Sequence, residues 1–334
     1  MNDAQCPKCG TSYPPPARFC IKDGFPLITG TQSSPALHRT DETRPPGVRN
    51  TDPAGTLEGR VIDGRYAIED RVGEGGMAYV YRATDRQTGQ TVAIKVLMAK
   101  LASDPESVAR LKREAHLAMK LIHPNTCGLL SYGEANRLPY LVMPYLEGET
   151  LSARENRIGI MKPKQAVPIL IQLCHGLQHA HDQGVMHRDL KPENVMLVAE
   201  DAGERAVVMD FGLAKERIAG TELNRLTATG IVLGTPEFMS PEQIRGKSID
   251  HRSDIYALGV LAFELLSGEL PYAGANAQET MLNHLTGKPK RLSTVASNIP
   301  TALDQAIERA LKLEPKDRFQ SMTEFAQALS RIPL

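Results

Sequence analysis

Val185–Met196 reads VMHRDLKPENVM, an acid, a lysine and an asparagine within six residues, bracketed by two apolar pairs. A solvated surface loop is one explanation. The other is a catalytic loop whose apolar flanks are buried and hold its polar middle in place. The companions elsewhere in the chain decide between them. Asp189 can accept a proton from a hydroxyl nucleophile. Lys191, two residues on, points the same way in an extended loop and can neutralise a transferring phosphoryl group. Asn194 offers an amide oxygen suited to a hard cation such as Mg²⁺. Downstream, MDFG follows the strand-like RAVVM and supplies Asp210 as a second oxygen ligand.

The remaining parts of a phosphoryl-transfer site lie upstream. VGEGGMAYV, Val72–Val80, is a glycine-rich turn between two strands. Gly73, Gly75 and Gly76 let backbone N–H groups approach phosphate oxygens without a Cβ clash. Alone, such a turn is a weak signal, because glycine-rich hairpins are common. VAIK then places Lys95 on a strand among apolar neighbours, where a bare ammonium is costly and needs an anionic partner. Glu114, in KREAHLA, supplies one if its helix packs over the sheet. Positioning, metal and charge neutralisation are what phosphoryl transfer requires. A solvated loop predicts none of these companions.

The 334 residues suffice for about two domains, and 41% hydrophobic content for a substantial core. Lys+Arg 39 against Asp+Glu 39 gives net charge +0, without the basic excess of a nucleic-acid-coating protein. No tract reaches the roughly 20 apolar residues that span a bilayer; the longest, IYALGVLAFELL, is broken by Glu264 and reads as a buried helix. MNDAQCPKCG lacks an apolar signal core, and three of five cysteines crowd the first 20 residues instead of forming a disulfide framework. A cytoplasmic protein is expected.

Three segments follow. Residues 1–29 hold the clustered cysteines. Residues 30–58 are poor in large aliphatics and interrupted by prolines, and read as a disordered linker. From about Val61 apolar periodicity returns. Tyr66 to about Tyr145 is strand-rich, with Thr88-Gly89 as a hairpin turn and one helix, opened by Ser103-x-x-Glu106 and carrying Val108, Leu111, Ala115, Ala118 and Ile122 on one face. After about Thr150 the pattern is mostly helical, as over Gln165–Asp182 and Ser253–Leu266. A small β-rich lobe before a larger helical lobe leaves a cleft, a common place for a ligand.

Taken together, VGEGGMAYV, VAIK, Glu114, HRDLKPEN, DFG, GTPEFMSPEQ, SDIYALGV and DRF resemble the eukaryotic-like protein kinases, specifically the bacterial Ser/Thr kinases, over about four-fifths of the chain. The resemblance implies an α+β bilobal kinase fold over 61–332, with an N-lobe of about 61–145 and a C-lobe of about 146–332. It implies ATP with Mg²⁺ or Mn²⁺ as cofactors, Asp189 as catalytic base, Lys191 on the γ-phosphate, and Asn194 and Asp210 on the metal. Lys95 would hold the α/β-phosphates and pair with Glu114. The loop Val72, Gly73, Glu74, Gly75, Gly76, Met77, Ala78, Tyr79 and Val80 would cover the nucleotide. Val80, Ala93 and Met196 would sandwich adenine, with Met143 as gatekeeper and Leu146 donating its N–H at the hinge. Asp254 would brace the catalytic loop, and Glu242 and Arg318 would form a buried ion pair. DLKPEN favours serine or threonine as acceptor. Protein substrates are implied, with a homodimer for trans-autophosphorylation. Two departures stand out. The third loop glycine is Ala78, and Pro144 in the hinge has no N–H but keeps the carbonyl that position offers.

Thr227 and Thr229 lie between Asp210 and Glu242; a phosphate on either would pair with Arg188 and order the loop, so autophosphorylation there is expected. At the N-terminus Cys6-x-x-Cys9-Gly10 and Cys20-x-x-Asp23-Gly24 have the same form, with Asp23 in place of a fourth cysteine. Zinc accepts carboxylate oxygen, so this looks like a small zinc ribbon, and so short a segment needs metal to fold. A disordered tail is the alternative. His175 and His179 have zinc-like i, i+4 spacing, but Gly176 replaces the glutamate of H-E-x-x-H, so the segment reads as a packed or surface helix. Cys127 and Cys174 read as small core residues. A pseudokinase scaffold is the rival from another class. It predicts a broken residue among Lys95, Asp189, Asn194 and Asp210, and none is broken.

Overall fold

The structure, a computed structural model, describes residues 4–5, 12–13, 52–75, 78–201, 203–211, 236–272 and 274–334, without the side chains of 4, 5, 13, 106, 107, 110 and 114. Cys6, Cys9, Cys20, Asp23, Gly76, Met77, Thr227 and Thr229 lie outside the described residues. The chain divides into Met1–Arg49 and Asn50–Leu334. In the first unit, strands β1 (Ala4–Gln5) and β2 (Ser12–Tyr13) pair antiparallel.

The second unit opens with a sheet in the order β3-β4-β5-β6-β8-β7. Its strands are β3 (Val61–Ile62), β4 (Tyr66–Glu74), β5 (Ala78–Asp85), β6 (Thr91–Leu97), β7 (Ser131–Ala135) and β8 (Leu138–Pro144). The β5–β6 hairpin turns at Thr88-Gly89, where Gly89 takes φ 72°, a conformation glycine adopts without Cβ strain. One face packs Tyr66, Tyr81, Ile94 and Val142 together. Ala54 and Leu57 are buried in the same cluster, and the Tyr81 hydroxyl donates to the Ala54 carbonyl at 2.6 Å. The end of the expected linker is therefore a packed part of this lobe, held by the Ala54 and Leu57 side chains and one backbone acceptor.

The helical expectation for 103–122 needs two corrections. Helix α1 (Ala99–Ala102) precedes it, and Ser103 closes α1 instead of opening the next helix, its N–H donating to the Ala99 carbonyl. Helix α2 (Pro105–Ala118) then stops at Ala118, leaving Ile122 84% exposed. Leu111, Ala115 and Ala118 do face the sheet, against Leu97 and Leu141. That contact seats α2 behind the strand carrying Lys95.

The C-lobe starts with β9 (Gly148–Thr150), which pairs with β10 (Val195–Glu200), itself paired with β11 (Gly203–Val208). Helix α3 is Leu151–Ile158 and α4 is Pro163–Asp182. Helix α5 (Pro241–Ile244) is a single turn; α6 (Arg252–Ser267) is buried along nearly its whole length, as IYALGVLAFELL predicts. Helices α7 (Ala277–Thr286), α8 (Leu292–Val295), α9 (Thr301–Ala310) and α10 (Met322–Ser330) complete the lobe. Gly176 explains why no glutamate stands between His175 and His179. A Cβ there would lie 2.5 Å from the Asn125 carbonyl oxygen, so α4 can approach this segment only with glycine. Glu242 and Arg318 form the expected buried pair, with N–O distances of 2.7 and 2.8 Å. Among the described residues no helix is long and apolar enough to cross a membrane.

Candidate active site

The flanks of the opening stretch are buried: Val185 is 8% exposed, Leu190 1% and Val195 0%. Between them His187 is fully buried, and its two ring nitrogens have defined roles. Nδ1 accepts from the Asp189 N–H at 3.2 Å, so the proton sits on Nε2, which donates to the Met209 carbonyl at 2.7 Å. The ring also meets Phe211 edge-on at 5.1 Å. One histidine thus ties the catalytic loop to the segment carrying Asp210.

Asn194 makes a second tie. Its carbonyl accepts from the Met209 N–H at 2.8 Å, while its Nδ2 donates to the Asp189 carbonyl at 2.7 Å and lies 3.5 Å from Asp189 Oδ2. Lys191 Nζ is 3.9 Å from Asp189 Oδ2. Asp189, Lys191, Asn194 and Asp210 are thereby gathered at one place.

Lys95 lies on β6, with Val80 and Leu141 beside it in register. Its Nζ is 2.7 Å from Asp210 Oδ1. The described partner of Lys95 is thus Asp210, where the expectation named Glu114; Glu114 is on α2, with its side chain outside the described set. Burial opposes ionisation of Asp210, but the charge and hydrogen bond of Lys95, with the charge of Lys191, outweigh it and hold the carboxyl below its ordinary range. The carboxylate therefore stays charged beside a lysine, and its side chain is still 39% exposed to the cleft.

The residues fit a divalent cation and a nucleotide. Asp210 is an ionised oxygen donor, and with Asn194 Nδ2 committed to Asp189 the amide oxygen is the atom left for a hard cation. Gly73 and Gly75 meet no crowding, since a Cβ on either would find only ordinary contacts at 3.5 and 3.9 Å. Among the described residues nothing there demands glycine, and the bare backbone is open to close ligand approach. Ala93 pairs with Met143 across β6 and β8, and Met196 pairs with Thr150 across β10 and β9, so the two sit on different sheets. A hollow of about 500 Å³ lies elsewhere, beside α2; among its described lining residues the acid is Glu134, which lies 3.9 Å from Lys112 as an ion pair.

Two left-handed residues mark the site. Arg188 has φ 64° and Asp210 φ 56°, a costly conformation for non-glycine residues that surrounding contacts must impose. For Arg188 the contacts are visible. Its N–H donates to Asp254 Oδ1 at 2.8 Å, and its carbonyl accepts from Gln243 Nε2 at 3.0 Å. Asp254 Oδ2 also accepts from the His187 N–H at 2.9 Å and from His181 Nε2 at 2.7 Å. The bracing expected of Asp254 is present. His181 and Gln243 are additions that the sequence did not suggest. Their partners lie 73 and 55 residues away, so no local spacing could reveal them.

Comparison with known proteins identifies the family. Residues 66–330 match the protein kinase domain. The chain belongs to the protein kinase family, which uses ATP with Mg²⁺ or Mn²⁺. Its kinase domain is of the bacterial serine/threonine type. It is 38% identical over 275 residues to the serine/threonine-protein kinase PknB of Mycobacterium leprae, covering 81% of this chain and 43% of that protein. It is 38% identical over 278 residues to the serine/threonine-protein kinase pkn3 of Myxococcus xanthus, covering 82% and 51%. The chain thus spans about half the length of these curated relatives. Crystal structures of the Mycobacterium tuberculosis PknI kinase domain superpose with TM-score 0.64 at 27% identity, covering 82% of this chain and 98% of that one.

Proposed function

We propose that the chain transfers the γ-phosphate of ATP to serine and threonine hydroxyls of proteins. The observation that carries this is the joining of Asp189, Asn194 and Asp210 by the Asn194–Asp189 and Met209–Asn194 hydrogen bonds, with Lys95 on Asp210. Asp189 takes the proton from the acceptor hydroxyl, and Lys191 beside it offsets charge on the moving phosphoryl group. Lys95 holds the α/β-phosphates, and backbone N–H groups of 73–78 cover them. Asn194 and Asp210 hold Mg²⁺ or Mn²⁺, which when bound neutralises phosphate charge and orients the group for in-line transfer. Val80, Ala93 and Met196 contact adenine, Met143 is the gatekeeper, and Leu146 donates at the hinge.

Regulation follows from the same loop. Phosphate on Thr227 or Thr229 pairs with Arg188 and orders the segment before Pro236, with a second copy of the chain as the source of the phosphate. Residues 1–29 form a zinc-ribbon-like module on Cys6, Cys9, Cys20 and Asp23, and the kinase works in the cytoplasm. Metal analysis of the purified chain tests the module; absence of stoichiometric zinc rejects it. The activity is tested with ATP labelled on the γ-phosphate and a generic basic protein as acceptor, followed by acid hydrolysis of the product. Label on phosphoserine and phosphothreonine is expected, and label on phosphotyrosine alone rejects the assignment.

A further inference from the structure

We propose that Gln243 is a positioning residue for phosphoryl transfer, its side-chain amide fixing the Arg188–Asp189 peptide to helix α5. The inference rests on the kinase reading above and extends it to a residue outside the expected site.

Arg188 sits in the left-handed region, φ 64°, immediately before Asp189. Two side chains hold its peptide groups. Asp254 takes its N–H, and Gln243 Nε2 donates to its carbonyl at 3.0 Å. That carbonyl belongs to the peptide whose N–H, on Asp189, donates to His187 Nδ1 at 3.2 Å. Rotating the peptide would therefore break both bonds and swing Asp189.

The orientation of the Gln243 amide is forced by its surroundings. Its Oε1 accepts from the Ser240 N–H and from the Ser240 hydroxyl, both at 2.9 Å, so only the Nε2 end can face Arg188. The Oε1 half completes the cap of α5. Capping needs nothing from Nε2, which instead reaches across 55 residues of sequence to the catalytic loop. Helix α5 is anchored in turn, because the neighbouring Glu242 is locked to Arg318. Gln243 thus connects a rigid part of the C-lobe to the backbone of the proton acceptor.

Glutamate at this position keeps the capping oxygen but sets a second oxygen against the Arg188 carbonyl. Only its protonated form can donate there. The test uses the full chain, Mg-ATP and a generic basic protein, with kcat and KM for ATP measured from about pH 5.5 to about pH 8.5. Gln243→Glu should lower kcat about 10-fold at the alkaline end with KM for ATP unchanged, because the lost hydrogen bond to the Arg188 carbonyl lets the peptide before Asp189 leave its productive orientation. Its activity relative to wild type should recover as pH falls. Gln243→Ala, which has no carboxyl to protonate, should lose a similar factor at every pH. Gln243→Ala also removes the oxygen that caps α5 and should melt below wild type, so its kcat is read on folded protein; this variant carries the test if the glutamate variant does not fold. Wild-type kcat in both variants, a pH-independent ratio for Gln243→Glu, or a kcat loss matched by a rise in KM for ATP would overturn the proposal. A wild type that transfers no phosphate to any acceptor overturns the kinase reading as well.

Discussion

Asp254→Asn is the substitution whose consequences the geometry defines most fully. The carboxylate is 1% exposed and accepts three hydrogen bonds, from His181 Nε2 at 2.7 Å, Arg188 N–H at 2.8 Å and His187 N–H at 2.9 Å. It lies in the first turn of α6, where the helix dipole favours an anion. Burial opposes its charge, but His181, His187 and the backbone donors outweigh that and hold the carboxyl below its ordinary value. Its stabilising effect is thus present above the ordinary carboxylate pKa and lost as pH falls through the lowered one. Asparagine has the same shape but one acceptor oxygen. Its NH₂ must face a donor, so at least one backbone N–H of the catalytic loop loses its partner. A lost charge-assisted bond is worth about 1.5–3 kcal/mol, and the stranded donor is part of that cost. We expect a loss of about 2–4 kcal/mol in urea unfolding, large against a typical total of about 5–15 kcal/mol. Because the orphaned groups sit at His187 and Arg188, kcat should fall about 10- to 100-fold with a smaller change in KM for ATP. Asp254→Asn with kcat at the wild-type level and a stability change under about 0.5 kcal/mol would refute the bracing argument.

Three further outcomes follow from particular contacts. Arg318→Met should cost about 3–5 kcal/mol in denaturant unfolding, because the fully buried guanidinium leaves Glu242 behind; a double variant that also removes the Glu242 charge should recover much of it. Burial, then the charges of Glu264 and Glu193, push Glu155 up to about 8. The folded chain therefore keeps a proton that the unfolded chain releases near 4.5, and stability falls as pH rises from there through about 8. Glu155→Gln should accordingly raise the melting temperature more at about pH 8 than at about pH 5, and equal shifts at both would contradict this. Mass spectrometry after incubation with Mg-ATP should find phosphate on Thr227 or Thr229, and the double alanine variant should show lower activity; unmodified loop peptides from active enzyme would end this expectation.

Much of the kinase fold was legible because its signals are local. The buried flanks of 185–196, the Thr88-Gly89 turn and the apolar run of α6 each follow from a few adjacent residues. The misplaced boundaries have local causes too. Ile122 fits the helical period, but α2 ends at Ala118 and the chain turns before Ile122 can pack. Ser103 has the composition of an N-cap, yet the preceding turn uses it as a C-cap. Ala54 and Leu57 are too sparse to signal a core, and they are buried because a lobe formed elsewhere accepts them. In the site, motif residues were legible one by one, while the contacts that orient them were not. The pairing of Lys95 with Asp210 spans 115 residues, and the hold of Gln243 on Arg188 spans 55. Such contacts exist only once the lobes have folded.

The most direct measurement compares wild type with Asp189→Asn for transfer of label from the γ-phosphate of ATP to protein. Asparagine nearly preserves the shape of the side chain while removing the base. The account predicts rapid labelling by wild type, a rate at least about 100-fold lower for the variant, and nucleotide binding retained in both. Equal labelling by the two proteins would show that the aspartate held by Asn194 is not where the proton goes.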